Sequence, residues 1–134
     1  MQFLFAYSWA NPEKTILRYS AKPGWTWRDY HACARIATLT LTPRATPVDI
    51  LIDLTASTRT PSGLAAHSRT FGQALVPALS GRAAVIGLPQ ADLEALVPDG
   101  SRILPNQSGG QVYFADTEAE ALAQLEAWRA QASS

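Results

Sequence analysis

Two periods organise the apolar positions of this chain. Gln2–Trp9 alternates loosely and is rich in aromatics, and Thr15–Ala21 alternates again, with Leu17, Tyr19 and Ala21 on one side and Ile16, Arg18 and Ser20 on the other. A period of two marks strands, and the intervening Asn11-Pro12-Glu13-Lys14 carries turn chemistry, so the first two elements form an antiparallel hairpin. Lys22-Pro23-Gly24 ends the second strand. Thr26 then opens a helix, with Asp29 three residues on as a shortened capping box. Tyr30, Cys33, Ala34, Ala37 and Leu41 form its apolar stripe, and Pro43 bounds it.

Val48–Leu54 breaks the alternation with a nearly continuous apolar run holding Asp49 near its start and Asp53 near its end. Such a run is a strand covered on both faces. Thr55–Thr60 is a polar, hydroxyl-rich loop. Thr60 is placed to cap a second helix with Pro61 in its first position, and Leu64, Ser68, Phe71, Leu75 and Leu79 give that helix a stripe up to the region of Pro77. Arg82–Leu88 is a second buried strand, Asp92–Val97 a short helix, and Gln111–Ala115 a last strand. Thr117 and Glu120 form the capping box of a final helix with Leu122, Leu125 and Trp128 inward, and Gln131–Ser134 reads as a frayed tail. Pro98–Gly110 shows no period and reads mostly as loop, with Arg102-Ile103-Leu104 either a short helix or a strand fragment. The order β-β-α-β-α-β-α-β-α predicts an α/β fold. One mixed sheet, parallel in its later strands, carries packed helices in a single domain.

Charge removes some functions. The 134 residues hold 11 basic and 11 acidic side chains, a balance that argues against a nucleic-acid binder driven by bulk charge and lowers the barrier to self-association. The single cysteine, Cys33, builds neither a disulfide nor a paired metal or redox motif. The apolar start MQFLFAYSW lacks a basic leader and is too short to span a membrane, so the expected location is cytoplasmic.

The chemistry-bearing residues gather at the carboxyl end of the Val48–Leu54 strand, where ligands of open α/β sheets collect. Asp53, Thr55, Ser57, Thr58, Arg59, Thr60, Ser62 and Gly63 are the candidate binding residues. A helix start there would offer free N–H groups to an anion, a phosphate or a partner, or would simply be a capped helix beside a solvated loop. Trp25 and Trp27 either staple the first helix to the sheet or make an aromatic rim. Ser62, His67 and Asp53 do not form a catalytic triad, because Ser62 and His67 share one helix and no G-x-S-x-G turn is present. Asp53 lacks the acidic pair and lysine that phosphoryl transfer requires, and hydrogen bonding to loop N–H groups is its expected role. His67 reads as a helix-surface residue. No metal spacing and no cofactor motif occur.

The segments Asp53-Leu54-Thr55-Ala56 and Thr60-Pro61-Ser62-Gly63-Leu64 resemble the D-L-S-G and D-S-S-G-L motifs of the STAS/SpoIIAA-like family, the anti-sigma-factor antagonist fold. The stretches TILRYSAKPGWTWRDYHA and FADTEAEAL resemble divergent STAS-like or SEC14-like bacterial proteins. The resemblance implies a non-enzymatic regulatory or interaction domain, or alternatively a carrier of a small apolar, lipid-like ligand held against the Trp25–Leu41 helix or under the Pro98–Gly110 loop. The family's phosphorylated serine falls on Pro61, so that switch does not transfer. Ser62 matches the second serine of the pair and is the candidate phosphorylation site. A homodimer through the N-terminal hairpin or an aromatic surface is a third expectation.

Overall fold

Six strands form one mixed sheet in the computed structural model, which describes residues 4–41, 47–57 and 59–133. Strands β1 (Phe5–Trp9) and β2 (Ile16–Ala21) make the antiparallel hairpin, with Phe5 opposite Ala21. Asn11 closes the connection, its Oδ1 accepting the Thr15 N–H at 3.0 Å and the Ile16 N–H at 3.2 Å. Helix α1 (Trp27–Leu39) leads to β3 (Val48–Asp53), parallel to β2. The Thr26 hydroxyl accepts the Asp29 N–H and the Asp29 carboxylate accepts the Thr26 N–H, completing the capping box. A single turn α2 (Leu64–His67) and a 3-10 turn (Ser68–Thr70) precede β4 (Leu79–Ile86), which is parallel to β3. Then come α3 (Gln90–Leu96), β5 (Ile103–Pro105), β6 (Gln111–Ala115) and α4 (Glu118–Ser133). The sheet order is β1-β2-β3-β4-β6-β5, parallel from β2 to β6 and antiparallel at both edges.

Period-two alternation sorts the strand residues onto two faces. Leu17, Tyr19, Ile50, Ile52, Ala83, Val85 and Phe114 join α1, Phe71 and Leu93 in the larger core. Ile16, Leu51, Ala84, Ile86 and Ala115 meet Ala121, Leu125 and Trp128 of α4 on the other face. Among the described residues, α1, α2 and α3 lie over one face, and α4 covers the opposite one.

Four expectations are corrected. The second helix does not run from Pro61 to Leu79: α2 has four residues, Gly63 rather than Thr60 is its N-cap, Leu75 is 49 % exposed, and Leu79 opens β4. Ser68 and Thr70 turn their hydroxyls onto the carbonyls of Ala65 and His67, which competes with helix propagation. The helical path ends at Phe71, which is extended at φ −61° and ψ 124°, and Gly72 follows at φ +67°, where an added Cβ would run into that of Ala83. The Pro98–Gly110 region contains a strand, β5, which adds an element to the expected order. The short helix begins at Gln90, two residues earlier than expected, and α4 continues through the supposed frayed tail to Ser133. Gln2 of the first strand, Pro43 and Thr58 lie outside the described residues, so those expectations have no counterpart here.

Candidate functional site

Asp53 ends β3 and organises the carboxyl edge of the sheet. Its Oδ1 accepts the Thr55 N–H at 3.0 Å and the Thr55 hydroxyl at 2.6 Å. Its Oδ2 accepts from Arg18 of β2 at 2.9 Å, and the same guanidinium reaches Glu118 at the start of α4 at 2.7 Å. The hydrogen bond to Glu118, aided by Asp53, raises the Arg18 pKa against the opposing effect of burial. Both Asp53 oxygens are therefore engaged in holding the loop start and three elements together.

The loop is fastened from beneath by two indoles. Trp25 Nε1 donates to Ser57 Oγ at 2.7 Å, and Ser57 Oγ donates to the Arg59 carbonyl at 3.0 Å. Trp27 Nε1 donates to the Ser62 carbonyl at 2.8 Å. Both indoles are buried and pack edge to face on each other, 4.9 Å between centroids, so the aromatic rim is not formed. Burying an indole requires a partner for its N–H, and the loop supplies two. Thr55, Arg59, Ser62 and Gly63 are exposed, while Ser57 and Thr60 are half-buried. The structure thus joins Asp53 to Thr55 and Ser57 to Arg59. Ser62 belongs to the site through its carbonyl, and the Thr60 hydroxyl bonds to no described group. Thr58 lies outside the described residues. With only one turn behind it, the start of α2 lacks the dipole of a long helix, which removes the anion-binding reading of that terminus.

His67 is not a surface residue of a helix. Its ring stacks on Trp27, 4.6 Å between centroids and 9° from coplanar, and its Nδ1 meets His31 Nε2 of α1 at 2.9 Å. One nitrogen of that contact must carry hydrogen and the other must not, so double protonation of the pair breaks it. Burial, then His67 and Arg35, lower the His31 pKa. The folded state therefore binds fewer protons than the unfolded chain just below its ordinary value of 6.5. Stability from this group is present above about pH 6.5 and is lost as pH falls through that value toward the folded-state value. Urea midpoints measured at about pH 7.5 and about pH 5.5 should fall for the parent chain and fall less for His31→Gln. Equal slopes would remove His31 as the cause.

Beside the histidine pair, a cavity of about 170 Å³ opens between α1, the sheet and the Thr70–Leu75 segment. Tyr19 and Ile50 reach it from the sheet, and Tyr30 and Ala34 from α1. The Tyr30 hydroxyl donates a long hydrogen bond, 3.4 Å, to the Thr70 carbonyl. The Tyr19 hydroxyl bonds to no described residue. Burial raises the pKa of both phenols, keeping them neutral donors, and pushes the nearby Cys33 thiol up to about 12, leaving it inert. Sequence reasoning placed Tyr19 on one side of β2 with Leu17 and Ala21 without assigning it a role, although a hydroxyl in an otherwise apolar row was itself a signal.

Among the described residues no group of three or more His, Cys, Asp or Glu is placed to hold a metal, and no helix is long and apolar enough to cross a membrane. No protein-family model, no curated protein and no solved structure matches the chain.

Proposed function

We propose that the chain is a non-enzymatic interaction domain of the STAS-like type whose binding edge is the loop of residues 55–64. The observation that supports this reading is the fastening of the loop. The Trp25 N–H holds the Ser57 hydroxyl, the Trp27 N–H the Ser62 carbonyl and the Asp53 carboxylate the Thr55 N–H, while Thr55, Arg59, Ser62 and Gly63 stay exposed. Anchored positions lose less entropy on docking than free ones, so the exposed groups beside them bind a partner efficiently. The same contacts occupy the groups that catalysis would need: Asp53 is engaged by Arg18 and Thr55, and His67 by Trp27 and His31. The partner is a protein, and Arg59 is the charged group that meets it. Phosphorylation of the exposed Ser62 would add about −1.5 to −2 charges beside that contact and change its sign preference.

A photo-crosslinking residue in place of Ser62, compared with one in place of the exposed Ala123 on α4, tests the edge in cells of the native host. A discrete crosslinked protein is expected from the Ser62 position alone, lost when Arg59→Glu is added. Equal labelling from both positions, or insensitivity to Arg59→Glu, would remove the assignment.

A small-ligand domain of the SEC14-like type is the second reading, favoured by the cavity beside α1. Its volume narrows the ligand from a lipid to a molecule of one ring.

A further inference from the structure

We propose that the cavity between α1 and the Thr70–Leu75 segment is a binding site for a small aromatic carboxylate, a single ring carrying an acid at one end and a hydrogen-bond acceptor at the other. The inference goes beyond the loop edge, which lies at the carboxyl ends of the strands and uses other residues.

Size sets the first limit. A volume of about 170 Å³ accommodates one six-membered ring with its substituents and excludes nucleotides and acyl lipids. Shape and polarity set the second. Ile50, Ala34 and the ring of Tyr30 provide apolar walls, and apolar walls with a few placed polar groups are the usual make-up of a small-molecule site.

The polar groups decide the chemistry. Tyr19 is 2 % exposed, its hydroxyl lines the cavity, and it donates to no described residue. The hydroxyl has no partner among the described residues and is not sealed from solvent, so it is free to donate into the cavity. A ligand oxygen at the cavity floor would satisfy it. At the mouth, the exposed Arg35 guanidinium forms no ion pair with a described residue, and Gln73 and His31 also line the cavity. A cation at the mouth selects an anionic end group and disfavours an ammonium. Donor at the floor, apolar walls and cation at the mouth together describe a para-substituted ring such as 4-hydroxybenzoate.

The test is an amide-resolved NMR titration of the full chain with 4-hydroxybenzoate, benzoate and benzylamine as probes. Both acids should shift the Ala34, Ile50 and Gly72 amides saturably, with Kd below about 1 mM, and benzylamine should not. Tyr19→Phe should weaken 4-hydroxybenzoate about fivefold and leave benzoate unchanged. Without ligand this variant should melt at or above the parent temperature. Arg35→Gln, at the exposed mouth, should weaken both acids about fivefold with no change in fold. The proposal is overturned by a folded parent chain showing no saturable shift at about 10 mM of either acid. Benzylamine binding as tightly as the acids, or Ala34→Leu binding them as well as the parent, would overturn it equally.

Discussion

Asp49→Ala should lower the stability of the domain by about 3–5 kcal/mol, read as a drop in the urea midpoint at unchanged slope. Asp49 lies at the amino end of β3 and is 0 % exposed. Ser80 donates its hydroxyl to Oδ1 at 2.6 Å, Arg82 its Nε–H to the same oxygen at 3.0 Å, and Arg129 an Nη2–H to Oδ2 at 3.0 Å. Arg129 also reaches the Thr15 and Pro47 carbonyls, so this one guanidinium links α4 to the residues that open β2 and β3. Removing the carboxylate leaves two largely covered guanidinium groups facing each other without their shared counter-ion, and the repulsion adds to the lost hydrogen bonds. A domain of this size has a total stability of about 5–15 kcal/mol, so the loss is a large fraction of it. Combining Asp49→Leu with Arg82→Met and Arg129→Met should recover most of the loss, because the charges are removed together. A single-variant loss below about 1 kcal/mol would mean that the cluster behaves as a surface ion pair and does not hold α4 down.

The contrast between Asp49 and Asp53 shows what a sequence carries. Both acids stand out in the apolar run of β3, and local context made Asp53 the interesting one because a hydroxyl-rich loop follows it. Its bond to Thr55 is two residues away and was legible. The partners of Asp49 are 31, 33 and 80 residues away and were not. The hairpin, α1 with its cap, β3 and the start of α4 rest on short-range signals: period-two alternation, Thr26 with Asp29, a continuous apolar run, and Thr117 with Glu120. The hairpin, the capped α1 and β3 appear as expected, whereas at α4 the Thr117 hydroxyl accepts the Glu120 N–H but the Glu120 carboxylate accepts the Asp116 N–H in place of the Thr117 N–H. The second helix failed because its stripe of Leu64, Ser68, Phe71, Leu75 and Leu79 matched helical spacing, while the chain leaves the helical path at Phe71 and packs Gly72 against Ala83 of β4. Around Arg102-Ile103-Leu104 a short helix and a strand fragment stayed open because three residues are too few to show a period, and pairing with β6 is what makes Ile103–Pro105 a strand. The histidine contact joins two helical segments 36 residues apart, which spacing along the chain does not reveal. The candidate residues within the described structure do gather around one sheet edge. The tryptophans that fasten them were read as a staple of α1 onto the sheet or as an aromatic rim, and their bonds to Ser57 and Ser62 were not legible.

Asn106→Ala should lower stability by about 3 kcal/mol and loosen one wall of the cavity in particular. Asn106 is 8 % exposed, and its side chain works at both ends. Nδ2 donates to the Phe71 carbonyl at 3.0 Å and the Gly81 carbonyl at 2.7 Å. Oδ1 accepts from the Ser108 N–H, the Ser108 hydroxyl and the Gly110 N–H, closing the β5–β6 turn. Next to it, the Gln107 N–H donates to the Arg69 carbonyl at 2.8 Å. The β5–β6 turn therefore pins the irregular segment that replaces the expected helix. That segment lacks a helical ladder of its own beyond Thr70, so the turn is what fixes the position of Phe71 and Gly72. Losing Asn106 strips donors from buried carbonyls, and each group left unsatisfied carries a desolvation penalty of about 1–3 kcal/mol. Hydrogen exchange should accelerate at Phe71 and Gln73 while the β2 and β3 amides stay protected, since local opening follows the contacts that are lost. Asn106→Asp separates geometry from charge. It keeps the acceptor oxygen for Ser108 and Gly110 but turns a carboxylate toward the Phe71 and Gly81 carbonyls, so at neutral pH it should be at least as destabilising as alanine. An aspartate variant as stable as the parent would show that the two carbonyls find other donors, and that the wall of the cavity is held by packing on Phe71 rather than by Asn106.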